Sequence, residues 1–312
     1  MRVFVRFMVL LVPGSLFAHG STPDSADELW RSWAWEPGVL IPLAVSGWLY
    51  IRGVRRFWRQ RKGVGVHESE LWCFAAGWLT LVLALVSPLH PLGTVLFSAH
   101  MTQHELLMLV AAPLLVLGRP LVAFLKALPR DWSSQLARLV TRPCWKRPWQ
   151  FLSHPLTAWL VHAAALWIWH IPALFDATID DEFIHALQHS SFLFSALLFW
   201  WAVLQGKQRT LGYGLAVLFM FTTALQSGLL GALITLAGVV LYPAYVSTAP
   251  AWGLSPLQDQ QLGGLIMWIP AGLVYVISGL VLFANWMRAS AERTTAREAL
   301  LFQPVTESKE GA

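Results

Sequence analysis

The sequence predicts an all-α, polytopic membrane protein built as a bundle of seven transmembrane helices. Of its 312 residues, 56% are hydrophobic and only 12% are charged, which is more apolar surface than a water-soluble core of this size needs. Lysine and arginine collect in alternate loops, as expected when a chain crosses a bilayer repeatedly. The formal net charge of +5 is therefore a topology signal, and we expect no nucleic-acid partner.

The first 20 residues have the pattern of a secretory signal peptide. Arg2 and Arg6 precede an apolar run over 7–17 that is too short to span a bilayer, and small residues follow it. We therefore expect residues 1–20 to be cleaved, with an uncleaved anchor as the alternative. Cleavage after Ala18 would leave His19 as an N-terminus able to chelate Cu(II), whereas cleavage after Gly20 would remove it.

Seven apolar stretches follow, each near the roughly 20 residues that a spanning helix requires. They cover about residues 39–51, 71–86, 97–117, 156–175, 184–204, 215–241 and 262–286. Residues 33–35 extend the short first stretch, and Gly228 and Gly231 could kink the long sixth one. We assign 21–288 to a single transmembrane domain and 289–312 to a tail.

Basic residues predict the orientation of the bundle. They cluster within 52–62, 119–147, 207–209 and 288–309, after the first, third, fifth and seventh spans. Outside the signal segment, Arg31 is the only basic residue on the other side. The positive-inside rule then places the mature N-terminus outside and the tail 289–312 in the cytoplasm, as expected for a protein of the bacterial inner membrane.

Two of the spans begin with a pair of histidines four residues apart. His100 and His104 open the third span, and His185 and His189 open the fifth. On a helix this spacing puts both rings of a pair on one face, about 6 Å apart along the axis. If the two helices are neighbours, four imidazoles meet at the predicted outer boundary.

Other polar side chains fall at the same level. His170 lies near the end of the fourth span and His90 in the loop before the third. Because polar residues within spans are costly, such convergence indicates a functional site. Glu105, next to His104, could orient an imidazole or carry a proton.

The histidines favour a metal ion, since imidazole suits copper, zinc and iron, whereas one haem would leave a histidine pair unused. The thioether of Met101 shifts the choice towards Cu(I), although methionine in membrane helices is commonly packing. Cys73 and Cys144 form no CxxC motif. The candidate metal ligands are His100, His104, His185, His189, His170, Met101 and Asp259.

Several motifs carry a family resemblance. They are SPLHPLG at 87–93, LFSAHM at 96–101, QH at 103–104, APLLVLGRP at 112–120, HP at 154–155, WIWHIP at 167–172, HALQH at 185–189, DQQLGG at 259–264 and MWIP at 267–270. They resemble the CtaG family of cytochrome c oxidase assembly proteins, the caa3-type. The resemblance implies a non-enzymatic membrane chaperone that helps copper reach the catalytic subunit of a haem-copper oxidase. It implies oxidase subunits as partners, with a periplasmic copper carrier and membrane lipid as further candidates.

Two alternatives stay open. The first is a zinc-dependent membrane hydrolase, in which the same histidines and Asp259 hold Zn²⁺ and an activated water near Ser191, although the chain has no HExxH base. The second is a copper importer or a metal-free assembly scaffold. In that case the basic segment 119–147, which is interleaved with apolar residues, docks partners or lies on anionic lipid.

Overall fold

The computed structural model describes residues 25–59, 62–63, 65–205 and 213–301. Within these ranges the ordered elements are helices and there is no β-strand, which confirms the all-α class. The predicted signal peptide, with His19, and residues 302–312 of the predicted tail lie outside the described residues. The boundaries of the signal peptide, transmembrane domain and tail stay predictions.

The described chain consists of helices joined by short connections. In chain order they are α1 (Ala26–Leu29), α2 (Pro37–Trp58), α3 (Glu68–Leu85), α4 (Leu89–Val95), α5 (Phe97–Leu117), α6 (Pro120–Ala127), α7 (Arg130–Thr141), α8 (Pro143–Leu152), α9 (Pro155–Trp169), α10 (Pro172–Asp180), α11 (Glu182–Gln205), α12 (Tyr213–Thr235) and α13 (Pro256–Leu301). Two short 3₁₀ turns, Pro243–Tyr245 and Ala249–Trp252, lie between α12 and α13.

Six of these helices are long and apolar enough to cross a bilayer, namely α2, α3, α5, α11, α12 and α13. The pair α8 and α9 supplies a seventh candidate, bent by 66° at its break. The chain is therefore a multi-pass membrane protein. α5 lies at its centre, because 67% of its most apolar window is buried, compared with 22% for α2, α3 and α13.

Some predicted span boundaries differ from the structure. The predicted fourth span, 156–175, is divided, because α9 ends at Trp169 and Pro172 begins the separate helix α10. A proline is favoured in the first helical turn and disfavours helical backbone in the residue before it, here Ile171, which is extended. The seventh span lies within a much longer helix, since α13 has 46 residues, about 69 Å at 1.5 Å per residue.

The predicted sixth span, 215–241, ends earlier, at Thr235, and α12 runs uninterrupted through its glycines. Gly231 serves helix packing, whereas a Cβ on Gly228 would make only an ordinary contact with the Trp268 side chain at 3.5 Å. A Cβ on Gly231 would lie only 2.9 Å from both Gly264 O and Trp268 N on α13. The missing side chains therefore allow α12 and α13 to approach closely.

A π-helical turn interrupts α5 at Leu106–Ala111, directly after the histidine pair. At its end, the amide of Ala112 donates to Leu107 O, five residues back, in place of the usual i−4 acceptor. The indole of Trp200 on α11 donates to Met108 O in the same turn at 2.9 Å. Such single π turns are often found beside functional sites, because they change the face that following side chains present.

The orientation predicted from the basic residues can be tested directly. We expect an alkaline phosphatase reporter, which is active only outside the cytoplasm, to work when fused after Asp181 or Pro250. The same reporter should be inactive when fused after Arg142 or Lys207, because these fusions lie among the basic clusters that are retained in the cytoplasm. An active fusion at Arg142 would contradict the predicted orientation.

Candidate metal centre

The two predicted histidine pairs meet at one end of the bundle, where α5 and α11 pack side by side. The ring centroids are 4.4 Å apart for His100 and His104, and 4.3 Å apart for His185 and His189. Between the helices, the rings of His100 and His185 are 5.1 Å apart, and those of His104 and His189 are 5.2 Å apart. The i, i+4 spacing therefore predicts the proximity of the two rings within each pair, and the packing of α5 against α11 brings the two pairs together.

Two further imidazoles join them. His170, at the end of α9, lies 6.1 Å from His104 between ring centroids. His90, on α4, stacks on His185 with a centroid distance of 5.3 Å and an interplanar angle of 8°. The six residues are called the histidine cluster below, namely His90, His100, His104, His170, His185 and His189.

Ring nitrogens in the histidine cluster approach one another closely enough to share an ion. One nitrogen from each of His100, His104 and His189 lies within 4.8 Å of the other two, and the same holds for His90, His185 and His189. The candidate ligands predicted from the sequence did not include His90. The signal for it was its position at the predicted outer boundary, within the SPLHPLG motif at 87–93.

Several of these nitrogens are buried without a hydrogen-bond partner in the described part of the chain. They are both ring nitrogens of His104 and the Nε2 atoms of His170, His185 and His189. Leaving a buried polar group unpaired costs about 1–3 kcal/mol, so a group of them in one place needs compensating partners, such as ordered water or a bound ion. An ion that accepts imidazole lone pairs fits this donor set.

His100 is held differently from its neighbours, because both of its ring nitrogens have partners. Its Nε2 lies 3.0 Å from Gln188 Oε1, and its Nδ1 lies 3.3 Å from both Gly93 O and the Tyr245 hydroxyl. Tyr245 also donates to Gly93 O at 3.0 Å. These contacts orient the ring, as second partners of ligating histidines commonly do.

His90 is oriented by two side chains from other elements. Gln103 Nε2 donates to Ala84 O at 2.7 Å and lies 3.2 Å from His90 Nδ1. On the other side, His90 Nε2 is 3.3 Å from Glu36 Oε1, just before α2. The imidazole beside it lowers the pKa of the Glu36 carboxyl. His90 is thus placed at the edge of the histidine cluster by α2, α4 and α5 together.

The structure does not bring Asp259 to the imidazoles. Its carboxylate, in the first turn of α13, accepts hydrogen bonds from the amide of Phe97 at 2.6 Å and from the amide and hydroxyl of Ser98 at 3.0 and 2.6 Å. Both oxygens are therefore used to cap the N-terminus of α5. These hydrogen bonds leave Asp259 outside the ligand set that we propose.

Met101 has a packing role as well. Its side chain is fully buried in the apolar core that also contains Phe97. A Cβ on Gly263 of α13 would lie 3.2 Å from Met101 Cγ, so the thioether packs against that helix. The residue following His100 points about 100° away around the helix, towards α13. Met101 is accordingly not part of the ligand set that we propose.

Ser191 and Glu105, which the sequence also indicates, and the buried His162 lie outside the two groups of nitrogens. Ser191 donates to Gln188 O at 2.8 Å and accepts from the Trp169 indole at 2.6 Å, so its hydroxyl is already engaged. Glu105 is buried, and its Oε2 has no partner among the described residues. His162 contacts Ser195 Oγ at 3.1 Å and is not in either group.

Fold and site together define a polytopic helical membrane protein with a buried, imidazole-lined candidate metal centre at one end of its bundle. The chain belongs to the cytochrome c oxidase caa3 assembly factor family, whose family model matches residues 48–289. This confirms the resemblance found in the sequence motifs.

Similar proteins occur in mycobacteria. The chain is 31% identical over 252 residues to an uncharacterised protein of Mycobacterium bovis, covering 77% of this chain and 37% of the relative. It is 27% identical over 289 residues to an uncharacterised protein of Mycobacterium leprae, covering 88% of this chain and 42% of the relative. The chain thus spans about two fifths of the length of these relatives. No solved structure matches it.

Proposed function

We propose that this protein assists the assembly of a haem-copper oxidase by binding copper at the histidine cluster and releasing it to the catalytic subunit. Family membership supports the assembly role. The observation that carries the copper proposal is the set of buried imidazole nitrogens without partners on α5, α9 and α11. Copper is the cargo in this scheme, so the protein needs no reaction of its own and is a chaperone rather than an enzyme.

The contacts around the ligand set, rather than its donor type, weaken the case for a hydrolytic zinc site. Both groups of close nitrogens consist of histidines alone, and three imidazoles can hold either copper or catalytic zinc. A zinc hydrolase needs an activated water with a base beside it. Asp259 is engaged at the start of α5, and the Ser191 hydroxyl already has two partners. These bonds make the hydrolase the weaker candidate.

The proposal includes three kinds of partner and a location. Oxidase subunits would receive the copper at the end of the bundle that the basic residues predict to be outside, and a periplasmic copper carrier would supply it. The inner membrane of a bacterium is the matching location. Lipid contact is expected at α7 and α8, in which the structure buries no residue and which carry tryptophan and arginine.

Metal analysis of the purified protein tests the proposal. We expect the protein loaded with Cu(I) to retain copper, and His189→Ala to lose most of it, with affinity lower by about tenfold or more. His67→Ala, an exposed histidine at the N-terminus of α3, should retain copper fully. His162→Gln provides a buried control outside the two groups of nitrogens.

Equal copper contents in all of these variants would contradict a copper-binding role for the cluster. A lipid hydrolysis assay on the same preparations distinguishes the zinc hydrolase from the copper chaperone. Zinc retained in place of copper, together with lipid hydrolysis that His189→Ala abolishes, would support the hydrolase instead.

A further inference from the structure

The histidine cluster contains two overlapping sets of three nitrogens rather than one ring of equivalent ligands. His90 and His185 form one set with His189, and His100 and His104 form the other with the same His189. Both sets include His189, whose Nε2 is buried without a hydrogen-bond partner in the described chain. Sharing of this Nε2 would make the two sets compete, since one nitrogen cannot bind two ions at once.

The two sets differ in depth. The His90 side chain is 15% exposed and contacts Glu36, whose side chain is 39% exposed. In contrast, His100 and His104 are 0% and 1% exposed. His90 is therefore the most exposed member of the histidine cluster, and His100 and His104 are the most buried.

Each set contains one ring whose two nitrogens both have partners. His90 contacts Glu36 Oε1 at 3.3 Å and Gln103 Nε2 at 3.2 Å, and His100 contacts Gln188 Oε1 at 3.0 Å and Gly93 O at 3.3 Å. An ion must replace one such contact in either set, because a nitrogen cannot keep its hydrogen bond and ligate a metal as well. The two sets therefore differ in enclosure, since all three rings of the second set are buried whereas the first includes the partly exposed His90. A chelator should accordingly withdraw an ion more easily from the set that contains His90.

We propose that the histidine cluster holds copper at two successive positions that share His189. The mouth position consists of His90, His185 and His189, and the deep position consists of His100, His104 and His189. This inference rests on the copper-binding role proposed above and adds a direction to it.

Transfer between the positions requires only exchange of dative bonds. The ion keeps its bond to His189 Nε2 while the other two imidazoles are replaced, so no electron or proton has to move and the ion is never without protein ligands. Three imidazole nitrogens around one ion, each at the about 2.0–2.1 Å typical of metal–imidazole bonds, are about 3.5 Å apart. The nitrogens of each set lie within 4.8 Å, so small side-chain adjustments suffice to close either set.

The test compares His90→Gln with His104→Gln in the full-length protein in detergent, using Cu(I) supplied from and withdrawn into a bicinchoninate complex. Wild-type protein should bind one copper. His90→Gln should still bind one copper, but loading and withdrawal should both be slower by about tenfold, because the deep position is intact and the path to it lacks its first ligand.

His104→Gln should show the opposite behaviour. Copper should still load at the wild-type rate into the mouth position, but chelator should withdraw it about tenfold faster than from the wild type. His67→Ala should match the wild type in both rates. Unchanged elution in size-exclusion chromatography and unchanged helical circular dichroism show that each variant is folded, and His90→Asn is a second variant expected to behave as His90→Gln.

Two outcomes would overturn the inference while leaving the copper-binding role intact. One is identical loading and withdrawal rates for the His90 and His104 variants, which indicates a single site with equivalent ligands. The other is two coppers bound per wild-type chain, which shows that the positions do not compete for His189. Wild-type protein that binds no copper would instead contradict the proposed function itself.

Discussion

A cell that lacks this protein is expected to synthesise its haem-copper oxidase polypeptides but to show low oxidase activity. The proposed step is late insertion of metal, so synthesis and membrane insertion of the subunits do not depend on it. Excess copper in the medium should restore part of the activity, because mass action can replace a carrier whose contribution is to raise the local concentration of metal at its acceptor. Oxidase activity, subunit abundance by immunoblot and copper content of the purified oxidase are the three measurements.

The double variant His100→Ala/His104→Ala should behave as the deletion does, while still inserting in the membrane at normal abundance. His67→Ala should restore wild-type oxidase activity, because this histidine lies at the opposite end of α3 from the histidine cluster, among the basic residues. Deletion cells that show no recovery with copper, and whose oxidase is fully loaded with copper, would contradict the copper proposal and favour a metal-free scaffold. Intact oxidase with an accumulating lipid would favour the hydrolase.

The part of this site that the sequence predicts well depends on local geometry. A spacing of four residues determines the relative position of two side chains on any helix, so His100 and His104 need no tertiary information to be paired. The prediction that α5 and α11 are neighbours rested on weaker evidence. Their polar first turns lie at the same predicted depth in the membrane. Charge and hydropathy likewise predict the number of spans, because they reflect the bilayer rather than the packing inside the bundle.

The part that the sequence predicts poorly depends on tertiary contacts. His90 joins the histidine cluster because α4 folds back over the start of α5, whereas the sequence indicates only that His90 lies at the predicted outer boundary. The π turn at Leu106–Ala111 has no strong residue signature, and its Met108 carbonyl is bonded by a tryptophan 92 residues away in the chain. The break of the fourth span is easier to predict from the sequence, because Pro172 directly follows the break and disfavours continuation of α9.

Asp259 shows how a residue predicted as a metal ligand can have a structural role at the same end of the molecule. The residue at the N-cap position of α5 is Leu96, whose side chain cannot accept a hydrogen bond from the first amides of the helix. A buried helix with such a cap needs an acceptor from elsewhere in the fold. A carboxylate at the start of a neighbouring span is a reasonable source, and this signal was present in the sequence.

We expect Asp259→Ala to be strongly destabilising. The carboxylate is fully buried and accepts three hydrogen bonds at the start of α5, where it also faces the positive end of the helix dipole. Its removal leaves buried amides of Phe97 and Ser98 unpaired, at about 1–3 kcal/mol for each group. Asp181→Ala is a matched control, because Asp181 caps the amide of Ile184 at an exposed position on α11. The Asp181→Ala substitution should lower the free energy of unfolding by only about 1 kcal/mol.

Thermal unfolding in detergent, measured alongside copper content per folded molecule, separates a cap from a ligand. If Asp259 is a cap, Asp259→Ala lowers the unfolding temperature far more than Asp181→Ala does, and the fraction that remains folded still binds copper, since the six imidazoles are unchanged. The unfolding temperature of Asp259→Asn should lie between those of the wild type and Asp259→Ala, because the amide oxygen retains one acceptor but lacks the charge. Normal stability combined with loss of copper would instead make Asp259 a ligand. If the carboxylate only anchors α5, its removal must weaken the fold around the start of that helix, where His100 lies one turn further along.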